Sequence, residues 1–325
     1  MRALLCTRLG PASGLSVGEV DEPQPGPGEV VVDVEAAGLN FPDTLIIEGR
    51  YQFKPELPFT PGGEAAGTVS AVGDGVTSVA VGDRVIALSA HGAFAQRWAV
   101  DARKVIPIPV GLDAVAAAAF GLTYGTSYHA LKDRAALQPG ETLLVLGAAG
   151  GVGSAAVELG KAMGATVIAA ASSAEKLAWA MDLGADEAID YSSEDLRDGV
   201  RRITGARGVD VVYDPVGGNL TETAVRSTAW NGRLLVVGFA AGDIPAIPLN
   251  LTLLKGMSIV GVFWGRSMEE EPELHRGNFA ELAGMIEAGR IRPRVSAEFD
   301  LDDYEAAFAM FTERRVMGKA VFRIG

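Results

Sequence analysis

The sequence predicts an α/β protein in which a doubly wound parallel sheet is combined with a second, mostly β unit. Three observations carry this. Short strand-like runs separated by Gly/Pro/Asp clusters fill the first 110 residues. From residue 142 onward, apolar strands alternate with helical stretches. Between the first such strand and its helix lies a glycine-rich turn at residues 147–153. Frequent turns and short strands suit a barrel or sandwich, and alternating strands and helices suit a parallel sheet.

In chain order, Val30 to Val34 and Gly67 to Val72 read as strands. They are bounded by turn clusters at residues 23–28, 61–63, 73–75 and 82–83. Asp113 to Phe120 and Tyr124 to Ala136 read as helical. Thr142 to Leu146 is almost wholly apolar, as a parallel strand buried on both faces must be. A helix to Met163 and a strand from Thr166 to Ala171 follow. Further strands are expected at Val209 to Tyr213, Gly232 to Val237 and Ser258 to Val262, with a helix from Asn278 to Ala288. The tail Gly318 to Phe322 reads as a closing strand that returns to the first unit.

A chain of 325 residues is long enough for two domains. Its 48% apolar and 21% charged residues are ordinary for globular proteins. The net charge of −13 opposes nonspecific binding to nucleic acid or to an anionic membrane. Cys6 is the only cysteine, so no intrachain disulfide forms. The N-terminus MRALLCTRLG lacks the apolar core of a signal peptide, and no uninterrupted apolar run reaches membrane-spanning length. A soluble cytoplasmic protein is expected.

The turn Gly147-Ala148-Ala149-Gly150-Gly151-Val152-Gly153 follows a buried strand and opens a helix. Such a turn holds the pyrophosphate of a dinucleotide against free helix N–H groups. Ala149, Gly150, Gly151, Val152 and Gly153 are the candidate contacts. Gly150 allows close approach to the phosphates, and Gly153 allows close packing of helix on sheet. Ala148 stands where the usual G-x-G-x-x-G fingerprint has its first glycine. The alternative is a packing turn with no ligand. The next strand ends Ala171-Ser172-Ser173 without the carboxylate that binds an NAD ribose. Ser172 and Ser173, with Lys176 and Tyr191 nearby, favour the 2′-phosphate of NADPH. Otherwise Ser172 is a helix cap and Lys176 a solvated surface charge.

These pieces, together with residues 37–43, 61–67, 81–85, 121–123, 214–218 and 318–321, resemble the medium-chain dehydrogenase/reductases. The chain is most similar to their zinc-free quinone oxidoreductase (zeta-crystallin-like) branch. The resemblance spans nearly the whole chain. It implies a GroES-like catalytic domain at residues 1–121 and 261–325 and a Rossmann NADPH-binding domain at residues 122–260. The active site is then expected in the cleft between them, and a homodimer forms through the Rossmann sheet edge. Zinc members place ligands where Asn40 and Gly63 stand, and the cysteine-rich structural lobe is missing. His91, His129 and His275 are scattered without ligand spacing, so no metal is expected. His129 reads as a packing residue, and His275, after an acidic run, as exposed.

Without a metal to activate an alcohol, a conjugated carbonyl acceptor is the expected substrate, a quinone or enone foremost. Asn40 and Tyr51 are the candidate catalytic residues. Asn40 is otherwise a turn residue, and Tyr51 a packing residue. The resemblance adds Thr123 and Lys319 near the cofactor, Lys319 being otherwise a terminal surface charge; Gly238 and Phe239 follow a buried strand where backbone meets a cofactor, and Phe263 and Trp264 follow another, where they wall the substrate slot or equally suit core packing or a subunit contact. Leu45 replaces a tyrosine common in the branch, and Glu158 a glutamine, a position read as facing away from the chemistry. The alternatives are an acryloyl-CoA (enoyl-thioester) reductase, which needs a basic groove that Arg50 and Lys54 alone do not make, and a non-catalytic NADPH-binding structural or sensor protein.

Overall fold

Strand-forming, turn-punctuated sequence builds the first segment of the computed structural model, which describes residues 1–325. β1 (Arg2–Leu5) pairs with β2 (Ser16–Glu19). β3 (Glu29–Leu39) runs into a short helix, α1 (Phe41–Ile47). β4 (Glu64–Val72), β5 (Arg84–Leu88), β6 (Arg97–Asp101) and β7 (Val105–Pro107) follow. The expected helix over residues 113–120 is a single turn, α2 (Ala114–Ala117).

The second segment opens with α3 (Gly121–Tyr128), which widens into a π-helical turn at His129–Arg134 rather than continuing as a regular α-helix. Strands and helices then alternate: β8 (Thr142–Leu146), α4 (Gly151–Ala162), β9 (Thr166–Ala171), α5 (Ala174–Asp182), β10 (Glu187–Asp190) and α6 (Leu196–Thr204). β11 (Val209–Asp214), α7 (Asn219–Ser227), β12 (Thr228–Val236), α8 (Asn250–Lys255) and β13 (Ser258–Gly261) complete the alternation. α9 (Trp264–Glu270) and α10 (Pro272–Glu287) precede β14 (Val295–Asp300), α11 (Tyr304–Thr312) and β15 (Lys319–Arg323).

The chain divides into two units, Met1–Leu122 with Pro293–Gly325, and Thr123–Arg292. In the first, the sheet order is β14-β15-β3-β4-β5-β7, with β6 also on β3. Its core gathers Val30, Val32, Leu39, Phe59, Phe94, Phe308 and Phe322. The Phe94 ring meets Phe322 edge-on at 4.9 Å, an aromatic geometry more favourable than a face-to-face sandwich. The closing strand behaves as expected: β15 lies antiparallel to β3 with Ala320 opposite Leu39. That register brings Lys319 next to Asn40.

In the second unit, the sheet order is β10-β9-β8-β11-β12-β13 with every pairing parallel. The order reverses between β8 and β11, the place where such sheets bind ligands at their carboxyl ends. Leu144, Leu146, Ile168, Val212 and Leu234 form part of the core.

The boundary expected at residue 261 lies instead near residue 293. α10 is tied to the second unit by polar contacts that hydrophobic periodicity does not reveal. Lys132 Nζ donates to Glu281 at 2.6 Å, and Asn278 Nδ2 donates to Asp133 at 2.8 Å. His275, expected to be exposed, is buried on the same face of α10 as Asn278, Phe279 and Leu282. Its ring lies 5.2 Å from that of His129, and its Nε2 is 2.8 Å from Ser267 Oγ. The preceding acidic run belongs to α9 and its end, so it says nothing about the face that α10 buries.

Candidate functional site

In the first unit, the turn from β3 into α1 sets Asn40 in extended backbone at the helix N-cap. Asp43 Oδ2 accepts the Asn40 N–H at 2.7 Å and so holds the turn closed. Lys319 Nζ donates to Asn40 Oδ1 at 2.6 Å and to Glu64 Oε2 at 2.9 Å. Asn40 Nδ2 donates to Glu64 Oε2 at 3.1 Å and to the Gly38 carbonyl at 3.2 Å. Glu64 Oε1 accepts the Leu122 N–H at 2.8 Å. All four side chains are buried. A charge pair taken out of water persists only when its remaining valences are satisfied, and here they are shared among three side chains and the backbone. Gly38 makes the arrangement possible, because a Cβ there would stand 2.0 Å from the Ala118 carbonyl and 3.0 Å from both Glu64 Oε2 and Lys319 Nζ.

This geometry corrects two expectations. Both amide hydrogens of Asn40 are engaged within the protein, so it is scaffold rather than a free donor to a substrate. Lys319 is not a terminal surface charge but the buried partner of Glu64, and that burial is what the sequence did not show. Sequence reasoning assigned no role to Glu64 or Asp43. The available signal was one acid set among Gly and Ala in Gly62-Gly63-Glu64-Ala65-Ala66-Gly67. Burial, reinforced by Glu64, pushes the Asp43 carboxyl up to about 7 against the opposing N–H of Asn40 and the charge of Lys319. Tyr51 is half-buried, and desolvation together with the nearby Asp43 raises its phenol above the ordinary value.

In the second unit, the turn after β8 leads into α4 with Gly150 at the N-cap. Gly153 can be nothing else: a Cβ there would stand 2.2 Å from the Gly147 carbonyl oxygen. Residues 149–153 therefore pass close under the β8 tip, and the Ala148 N–H reaches Ala170 O at 3.1 Å on β9. Ser173, not Ser172, caps α5 by accepting the Lys176 N–H at 3.3 Å, which leaves the exposed Ser172 hydroxyl outside the cap. The Tyr191 N–H bonds Ala171 O at 3.1 Å, placing Tyr191 at the adjoining tip of β10. Residues 149–153, Ser172, Ser173, Lys176 and Tyr191 thus share one edge of the sheet.

Gly238 and Phe239 follow β12 on that edge and fold over the turn after β11, with the Ala240 N–H on Pro215 O at 3.1 Å. Thr123 is buried in α3, and one turn further along Ser127 Oγ donates to Val152 O at 2.9 Å, which fixes α3 beside the glycine turn. Ser127 was not anticipated. Phe263 follows β13, whose parallel pairing puts its end on the same edge three strands from β8, and is 56% exposed. Trp264 is buried against Phe279 and His275, which answers the packing alternative for that residue. Glu158 is also buried, accepting from the Tyr124 hydroxyl and from the Arg292 N–H.

The fit to a dinucleotide is therefore good on geometry alone: a cradle that a Cβ would fill, a helix N-terminus behind it, and no carboxylate at the end of β9. No group of three or more His, Cys, Asp or Glu side chains is arranged to hold a metal ion. The alcohol dehydrogenase GroES-like domain family matches residues 26–110, and the zinc-binding dehydrogenase family matches residues 151–277. The rat quinone oxidoreductase-like protein 2 is 39% identical over 324 residues, covering 99% of this chain and 92% of its own.

The chain belongs to the quinone oxidoreductase branch of the medium-chain dehydrogenase/reductases.

A Pseudomonas aeruginosa quinone oxidoreductase is 38% identical over 299 residues, 92% of each chain. The crystal structure of Escherichia coli quinone oxidoreductase complexed with NADPH superimposes with a TM-score of 0.93 at 30% identity, covering 99% of this chain and all of the other.

Proposed function

We propose that the protein is an NADPH-dependent, metal-independent reductase of small conjugated carbonyl compounds, with quinones the preferred acceptors. The observation that carries this is the β9 tip, where two serines and Lys176 stand in place of the ribose-binding acid, beside a glycine cradle on α4. Residues 149–153 would hold the pyrophosphate, Ser172, Ser173, Lys176 and Tyr191 the 2′-phosphate end, and Thr123, Gly238 and Phe239 the nicotinamide half. When bound, NADPH supplies a hydride equivalent. Tyr51 is the side chain offered for hydrogen bonding to the acceptor oxygen, and Asp43 beside it, raised to about 7, exchanges a proton in the neutral range. The Asn40–Glu64–Lys319 cluster keeps α1 and these two groups in place. β13 pairs on one side only and leaves Ile259 partly exposed, which supports a homodimer built along that edge. No helix is long and apolar enough to cross a membrane.

The test is NADPH oxidation with 1,4-naphthoquinone, repeated with NADH, with chelator, and with acryloyl-CoA as acceptor. Chelator-resistant quinone reduction that prefers NADPH is expected. Lys176→Ala should raise the KM for NADPH about ten-fold, the loss of one charge-assisted contact, while leaving NADH unaffected. A strong preference for acryloyl-CoA would replace the quinone assignment. Arg50, one of the two basic residues considered for a CoA groove, is paired with Glu48 at 2.9 Å.

A further inference from the structure

Beside Tyr51 and Asp43, the first unit holds an aromatic cluster to which the proposed reaction assigns no part. The ring of Phe53 lies over that of His91 at 5.8 Å with only 14° between their planes. Phe59 braces His91 edge-on at 5.9 Å. His91 is fixed from both sides. The Ser89 N–H bonds Gly63 O at 3.0 Å, the Ala93 N–H bonds Gly62 O at 3.0 Å, and the ring engages the Thr60 backbone. Burial disfavours the charged imidazole, so the ring presents an apolar face. Phe53 is 44% exposed although a buried aromatic would be worth more to stability, so it offers a flat face to solvent.

This pair adjoins the groups assigned to the acceptor oxygen. A Cβ at Gly63 would stand 3.0 Å from Ser89 O, 4.0 Å from Ala90 O and 3.8 Å from Asp43 Oδ1, so the His91 loop and Asp43 face one another across a glycine. Tyr51 precedes Phe53 by two residues and senses the charge of Asp43. An electron-poor fused ring gains most from an electron-rich aromatic face, whereas an acyclic or monocyclic enone has little plane to stack.

We propose that Phe53, backed by His91, is an aromatic plate that selects flat, fused-ring conjugated acceptors over small enones. The proposal rests on the reductase reading above and adds the residues that set acceptor choice.

The experiment compares kcat/KM for 1,4-naphthoquinone and 2-cyclohexenone in the wild type, Phe53→Leu and Phe53→Trp. Leucine keeps apolar bulk without the π face, and the half-exposed site makes misfolding easy to exclude by circular dichroism. The naphthoquinone-to-cyclohexenone ratio should fall about ten-fold in Phe53→Leu and hold or rise in Phe53→Trp, in line with the worth of one aromatic stack. A ratio within two-fold of wild type in Phe53→Leu overturns the plate. Equilibrium binding of 1,4-naphthoquinone, read by quenching of tryptophan fluorescence, separates this idea from the reductase reading. If the wild type reduces neither acceptor but binds naphthoquinone about ten-fold more tightly than Phe53→Leu, the plate stands and the reductase reading falls. Equal affinities in that case sink the plate as well.

Discussion

At the residue scale, the molecule is organised around charges it has taken out of water. Glu64 and Lys319 are 255 positions apart in sequence and 2.9 Å apart in the fold. Removing one member leaves the other buried and unpaired. Glu64→Gln should therefore cost about 3–5 kcal/mol of stability by urea unfolding. A loss below about 1 kcal/mol would mean that water already reaches the pair. Asp43 behaves differently. Its folded-state carboxyl is raised to about 7, chiefly by burial. Between the unfolded value near 4 and that folded value, the native state holds a proton that the unfolded chain has released. Stability from this group thus falls as pH rises through the window and is flat above it. Asp43→Asn should remove the slope, so the melting temperature of the variant relative to wild type should rise from pH 5 to pH 8. A constant difference would place the Asp43 titration elsewhere.

Elements carry information that single residues do not. α4 and its glycine turn were legible because three requirements coincide there: an apolar strand, a tight turn and a helix packed close against it. α10 was misjudged in exposure because its neighbours in sequence are acidic while its inward face is set by i, i+3, i+4 and i+7 spacing at His275, Asn278, Phe279 and Leu282. That face brings His275 against His129, with Asp133, Ser267 and Glu271 around the pair. Burial, followed by the neighbouring His129, lowers the proton affinity of His275. The unfolded chain takes up this proton below about pH 6.5 and the native state resists it, so stability is lost as pH falls through that value. His275→Gln should lose less melting temperature between pH 7 and pH 5 than the wild type does. An identical loss would show that the native pocket accepts the proton without cost.

At the scale of the whole molecule, one unit is interrupted by the other in sequence and completed by the last strand of the chain. β15 lies inside its sheet, between β14 and β3, so the first unit cannot close until Lys319–Arg323 has been made. The second unit ends its sheet on β13, an edge with polar backbone groups available on one side. If two chains join there, Ile259→Arg should convert the dimer to monomer in sedimentation velocity with the fold intact. A dimer that survives the change would move the interface away from β13.

The sequence by itself determined whatever depends on local period and backbone sterics. The parallel sheet follows from apolar runs in β8, β9 and β11. The phosphate cradle follows from glycines whose missing side chains nothing else can replace, and the absence of an acid after β9 is visible by inspection. Tertiary structure alone decided which polar groups share a buried space. Asn40 could be read as a substrate donor until β15 delivered Lys319 to its side-chain oxygen, and Lys319 as a terminal surface charge until Glu64 met it. Asp43, Ser127, and the stacking of Phe53 on His91 likewise arise from segments distant in sequence. Hydrogen bonds and ion pairs leave no periodic trace along the chain, because their strength depends on distance and burial that only the folded arrangement sets.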